Sequence, residues 1–85
     1  MEEMEIAVVT HYFGHIGVAA ITITAGELAV GDTIHFKGHT SDFTTVVESM
    51  QVEHASVAKA KKGDAVGLKV PQHVREHDQV FKVVA

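Results

Sequence analysis

Glycine or aspartate interrupts this chain at short intervals from Gly14 to Asp42 and again from Gly63 to Gly67, and that punctuation limits what it can fold into more than any other feature. The runs between those interruptions are too short for stable helices, which are marginal in water below ~12–15 residues, yet they suit strands of about 5–6 residues. The runs are also rich in Val, Thr and Ile, whose branched side chains pack well on a pleated surface. A single Pro is present to end a strand.

Read in order, Glu5–Tyr12 alternates as a first strand, with Ile6, Val8 and Tyr12 on one face and Ala7, Val9 and His11 on the other. Phe13–Gly17 is a turn whose Gly14 and Gly17 can take positive φ. Val18–Thr24 alternates again, with Ala19, Ile21 and Ile23 as its apolar face. Gly26–Asp32 is a compact connection that tucks Leu28 and Val30 inward. Thr33–Lys37 is a short strand burying Ile34 and Phe36, and Gly38–Asp42 is a hairpin loop of turn-forming residues.

Phe43–His54 is the longest extended run, and its apolar face changes phase between Val47 and Met50, which signals a bulge or a barrel corner. Ala55–Lys62 has helix-forming Ala and Lys but no apolar stripe, so a loop with at most one helical turn is expected. Ala65–Val70 turns Val66, Leu68 and Val70 inward and stops at Pro71. Val80–Val84 is the last strand, with Phe81 and Val83 sharing a face. The expected fold is all-β, a six- or seven-stranded antiparallel barrel, closed or nearly so, in one domain over residues 1–85 with an ordered core of about 5–84.

The formal net charge is −4 at pH 7 with His neutral. Phosphate neutralisation supplies most non-specific affinity for nucleic acid, so DNA is not expected as a partner and strong autonomous RNA binding is disfavoured. Seven His titrate near pH 6.5 if unperturbed, which brings the charge toward zero in mild acid and predicts a solubility minimum near pH 6. With no Cys, disulfides and thiolate metal sites are excluded. No stretch approaches the ~18 apolar residues of a membrane span, and the acidic start Met1–Glu5 is unlike a signal peptide, so a cytoplasmic location without a membrane partner is expected.

The most chemical-looking string is His73-Val74-Arg75-Glu76-His77, which fits a zinc-peptidase pattern. That chemistry needs a helix to put both imidazoles on one face, and here Pro71 lies just upstream and a strand begins just downstream. A polar turn is therefore expected. His11, His15, His35 and His39 could converge across neighbouring strands, but outward strand positions explain them more simply, and no metal or other cofactor is expected. No Ser lies in a nucleophile elbow and no phosphate loop is present, so the chain is read as a non-enzyme without catalytic residues.

Candidate binding residues remain. Tyr12 and Phe13, with His15 beside them, form a stacking or hot-spot group or else plug the barrel end. Lys59, Lys61 and Lys62 form the basic cluster, either a solvated loop or a docking patch.

The order of landmarks carries a resemblance. Gly26-x-Leu28-x-Val30-Gly31-Asp32-x-Ile34 is followed by Val46-Val47-Glu48-Ser49-Met50, by Ala60-Lys61-Lys62-Gly63-Asp64-Ala65-Val66-Gly67-Leu68, and by a last turn with Asp78-x-Val80. From about Ile6 to Val83 the chain resembles the second domain of the translation GTPases, such as elongation factor Tu and initiation factor 2, and free-standing elongation-factor-like proteins. It is also similar to the small C-terminal barrel of collagenase-like peptidases. The resemblance implies a Greek-key barrel of the translation-protein type. It also matches Glu48 to a family Glu that contacts the terminal adenosine of tRNA, while Ala65 replaces a family Asn and His77 a family Gly.

The function expected from sequence is a non-catalytic binding module related to translation factors, docking to RNA, the ribosome or a translation protein without GTPase activity. Its face would comprise Phe13–Gly17, Gly38–Phe43, Glu48 and Lys59–Lys62. The alternative is a protein-binding barrel, either an accessory subunit of a separate enzyme such as a peptidase or a homo-oligomeric block.

Overall fold

A computed structural model describes residues 2–84. Among these residues the secondary structure is all strand, and the fold is an antiparallel all-β domain as expected. The strands are β1 (Glu3–Phe13), β2 (Val18–Ile23), β3 (Glu27–Ala29), β4 (Thr33–Lys37), β5 (Asp42–Val46), β6 (Met50–Val52), β7 (Ala55–Val57), β8 (Lys59–Lys61), β9 (Ala65–Lys69) and β10 (Gln79–Val83). Eight form one sheet in the order β5-β4-β10-β1-β2-β9-β6-β7, and β3 pairs with β8.

The ten strands exceed the expected six or seven for two reasons. The run 43–54 is not continuous. Val47 donates its N–H to Asp32 O and accepts from Gly31 N, which pulls the backbone off the β4 ladder and splits the run into β5 and β6. The phase change in the sequence marks this corner. The segment 55–62 is also not a loop: β7 closes a hairpin on β6, and β8 pairs with β3. The hairpin turns through Glu53 (φ 51) and His54 (φ 66), two left-handed residues as a primed turn requires, without the Asn or Gly that announces one.

No ladder joins the edge strands β5 and β7 among the described residues. Instead the strap Val30–Asp32 bridges the two ends, bonding to Val47 after β5 and to Ala58 after β7. Val30 is exposed there rather than tucked in, whereas Leu28 is fully buried.

Two register shifts in β1 correct the expected faces. One lies between Glu5 and Ala7 against β10, the other between Val9 and His11 against β2. Consecutive Ile6 and Ala7 are therefore both buried together with Val9, and Val8 is only half-buried. The last strand runs Gln79–Val83, leaving Val84 exposed. A single core cluster gathers the inward residues of β1, β2, β4, β9 and β10, with Phe36 stacked on Phe43 at 5.1 Å between ring centroids.

The Gly-Asp punctuation proves to be one device used three times. In Ala29–Asp32, Lys61–Asp64 and Arg75–Asp78, the Asp N–H donates to the carbonyl of the first residue, and the Asp Oδ2 accepts from that residue's N–H at 2.8–3.0 Å. The third residue of each turn has positive φ: Gly31 at 98°, Gly63 at 96° and His77 at 75°. That is the type II requirement, and it explains why the resemblance places a Gly where His77 stands. Each turn launches a strand, β4, β9 or β10, so these carboxylates fix where the ladders begin.

Candidate functional site

The sequence-derived binding residues fall in different places. Tyr12 is half-buried, packs against the core and meets His73 edge-on at 4.6 Å. Phe13, its neighbour, points to the opposite face and is 47% exposed, with His11 edge-on at 4.5 Å. His15 is exposed on the following turn. Glu48 is exposed in the link between β5 and β6 rather than on a central strand, so the positional basis for matching it to a tRNA contact does not hold.

Lys59 and Lys61 point outward on either side of buried Ala60, and Lys62 is exposed in the Asp64 turn. Lys59 and Lys61 line a shallow depression of about 180 Å³ together with Glu27 and Asp64. Two cations facing two carboxylates make a charge-balanced surface, not a phosphate cradle.

The polar strings also resolve. His73–His77 is irregular chain and turn, with Val74 buried and no helix to align the imidazoles. His11 Nδ1 lies 3.4 Å from Glu76, and His35 bridges Glu3 (2.9 Å) on β1 and Asp42 on β5. Hydrogen bonds first to Asp42 and then to Glu3 favour the imidazolium and raise the His35 pKa. Among the described residues no three His or acidic groups are placed to share a metal.

A second concavity, a trough of about 370 Å³ on the outer face of β2, β9 and β6, shares only its Phe13–Ile16 wall with the face expected from sequence. Strand parity builds its floor. β2 buries Ala19, Ile21 and Ile23, and so turns Val18 and Ala20 out; β9 buries Val66 and Leu68, and so turns Ala65 and Gly67 out. Register aligns Ala20, Gly67 and Gln51 in one row across three strands. Phe13 and Ile16 (64% exposed) rise from the β1–β2 turn, and Glu53 and His54 from the β6–β7 turn. Of the face expected from sequence, Phe13 and Ile16 of the Phe13–Gly17 segment belong to it. The available signal was the outward run Val18-x-Ala20, apolar where a solvated antiparallel face would be polar.

Solved structures identify the kind of fold this is. The crystal structure of the C-terminal domain of a putative U32 peptidase from Geobacillus thermoleovorans superposes with a TM-score of 0.87 at 22% identity, covering 94% of this chain and 92% of that one. Its selenomethionine variant gives 0.85 at 21% identity, covering 91% and 96%. Curated relatives point the same way. The chain is 40% identical over 80 residues, 93% of its length, to an uncharacterized protease of Methanocaldococcus jannaschii, and 36% identical over 72 residues, 84% of its length, to a collagenase of Porphyromonas gingivalis. It spans 19% and 20% of the length of these two proteins. No protein-family model matches the chain. The similarity to the barrel of collagenase-like peptidases thus has counterparts among these relatives, and the resemblance to the second domain of translation GTPases has none.

Proposed function

We propose that this domain is a non-catalytic, protein-binding module that works with a peptidase of the collagenase-like kind. The observation that carries the reading is the 36–40% identity to a segment making up about a fifth of a protease and of a collagenase. A segment of that size, with the fold of a domain solved separately from the rest of a peptidase, fits an accessory role better than the hydrolytic one. The exposed apolar pair Phe13 and Ile16 supports protein binding, since aromatic and aliphatic anchors dominate such interfaces. Docking to RNA or the ribosome has less support, because Lys59 and Lys61 share their depression with the carboxylates of Glu27 and Asp64.

Affinity capture from a native lysate of the source organism, after nuclease treatment, tests the reading. A collagenase-type peptidase polypeptide recovered in near-stoichiometric amount is the expected result. Recovery of ribosomal components alone, or of nothing above a blank resin, would overturn it.

A further inference from the structure

We propose that the trough on β2, β9 and β6 takes an extended polypeptide segment, apolar over Gly67 and carrying a basic residue beside Glu53. This rests on the protein-binding reading above but does not depend on a peptidase being the partner.

Gly67 is the starting point. It lies mid-strand in β9, paired with Ala20 on one side and Gln51 on the other. A Cβ built on it would meet only Val18 Cγ1, at 3.7 Å, which is ordinary contact, and its φ is not left-handed. Neither packing nor backbone geometry therefore requires a glycine here. Glycine within a strand costs about 0.5–1 kcal/mol and often marks a place where a ligand or another backbone comes close. With Ala20 and Ala65 beside it, the floor is shallow enough for a main chain to lie across it.

The two-residue β6–β7 turn, which holds Glu53 and His54 at left-handed φ, places both residues along one rim of the trough. On the opposite wall Phe13 and Ile16 offer an apolar surface.

The size and charge of the trough select its occupant. At about 370 Å³ it lies at the low end of small-site volumes, and its ten lining residues fall short of the roughly 20–30 a side of a whole protein–protein interface, so it accepts a segment and not a domain face. Glu53 is the sole Asp, Glu, Lys or Arg in the lining. A cation on the segment complements it, and an anionic ligand is repelled.

The test uses the full chain and a short fluorescein-labelled peptide of alternating Leu and Ser with one Lys, followed by anisotropy. The wild type should bind it with micromolar affinity. Gly67→Leu should weaken binding at least about tenfold, which is about 1.4 kcal/mol, with a melting temperature no lower than that of the wild type. Ile16→Ser, at an exposed position, serves as a second probe and should weaken binding about threefold. Glu53→Lys should reverse the preference, favouring a peptide with Glu in place of Lys, an outcome that general loss of structure cannot produce.

Equal binding by the wild type and a folded Gly67→Leu variant would overturn the proposal. So would a wild-type dimer in sedimentation that Gly67→Leu dissociates, or peptide binding that ignores the charge swap. Peptide binding without peptidase capture would sink the accessory reading and leave the trough assignment standing; the reverse result would do the opposite.

Discussion

Gly38 and Gly67 both lack a side chain, for opposite reasons, and the contrast separates a closed end of this barrel from its outer face. At Gly38 a Cβ would overlap the carboxylate of Asp78, which is buried and already bonded to Arg75 N. Around it Gly38 N donates to Ser41 O, Ser41 Oγ reaches His73 O, and Val74 is fully buried. That end is filled, and its glycine is dictated by the neighbours. At Gly67 a Cβ would meet only Val18 Cγ1, in ordinary contact, and the neighbours do not demand a glycine. Filled space belongs to the fold, while unfilled space on a sheet face is available to a partner.

The largest effect should come from filling the closed end. Gly38→Ala should destabilise by about 2–3 kcal/mol, since the carboxylate it displaces is held by backbone. Asp78→Ala alone should cost about 1–3 kcal/mol by freeing the Arg75 N–H and the turn. Because the second change makes room for the first, the double variant should cost less than the sum, by about 1 kcal/mol or more in urea denaturation. Strict additivity would show that the two positions do not compete for one space.

At the same end, His77→Gly should stabilise by about 0.5–1 kcal/mol, the left-handed penalty of ~1–2 less glycine's added chain entropy of ~0.5–1. At the open trough, Gly67→Ala should stabilise by a similar ~0.5–1 kcal/mol, through strand propensity alone. Destabilisation there, measured by thermal melting, would show that the space is not empty and would erase the contrast.

The smallest effect concerns His35, which pins β4 from outside through Asp42 and Glu3, with the Phe81 ring of β10 beside it. Its pKa is raised above 6.5, so the stabilisation is fully present below pH 6.5 and is lost as pH rises through the folded value. His35→Gln should therefore lower the melting temperature at pH 5.5 and leave it nearly unchanged at pH 8.5. An equal loss at both values would mean that the imidazolium is not the stabilising form.

Much of the fold was legible in the residues. Period-two alternation located β2, β4 and β9, and the phase change at Val47–Met50 marked the corner where the chain leaves β4. What hid the rest was long-range. Ala55–Lys62 reads as poor helix because its two three-residue strands exist only through partners at Met50–Val52 and Glu27–Ala29. Bulges at Ile6 and Thr10 shift parity with no local signal. The Gly-Asp pairs were visible as motifs, but their shared hydrogen-bond pattern, extended to His77-Asp78, was not. The site was hidden for the same reason: Ala20, Gly67 and Gln51 are unremarkable singly and become a floor only when three strands align.

One ladder has a mechanical consequence. Glu3 pairs with Val83 and Met4 with Lys82, so the first and last strands lie side by side and antiparallel, with their outer ends at the same edge. A pull applied at those two ends loads the hydrogen bonds one pair at a time, like a zipper, rather than all at once in shear. The domain should yield at low force from this direction and resist far better when gripped at Glu3 and Gln79, which lie at opposite ends of the same ladder and load it in shear, a difference that an optical trap would read directly. Tension along the chain would thus peel β1 from β10 before disturbing the trough on β2, β9 and β6.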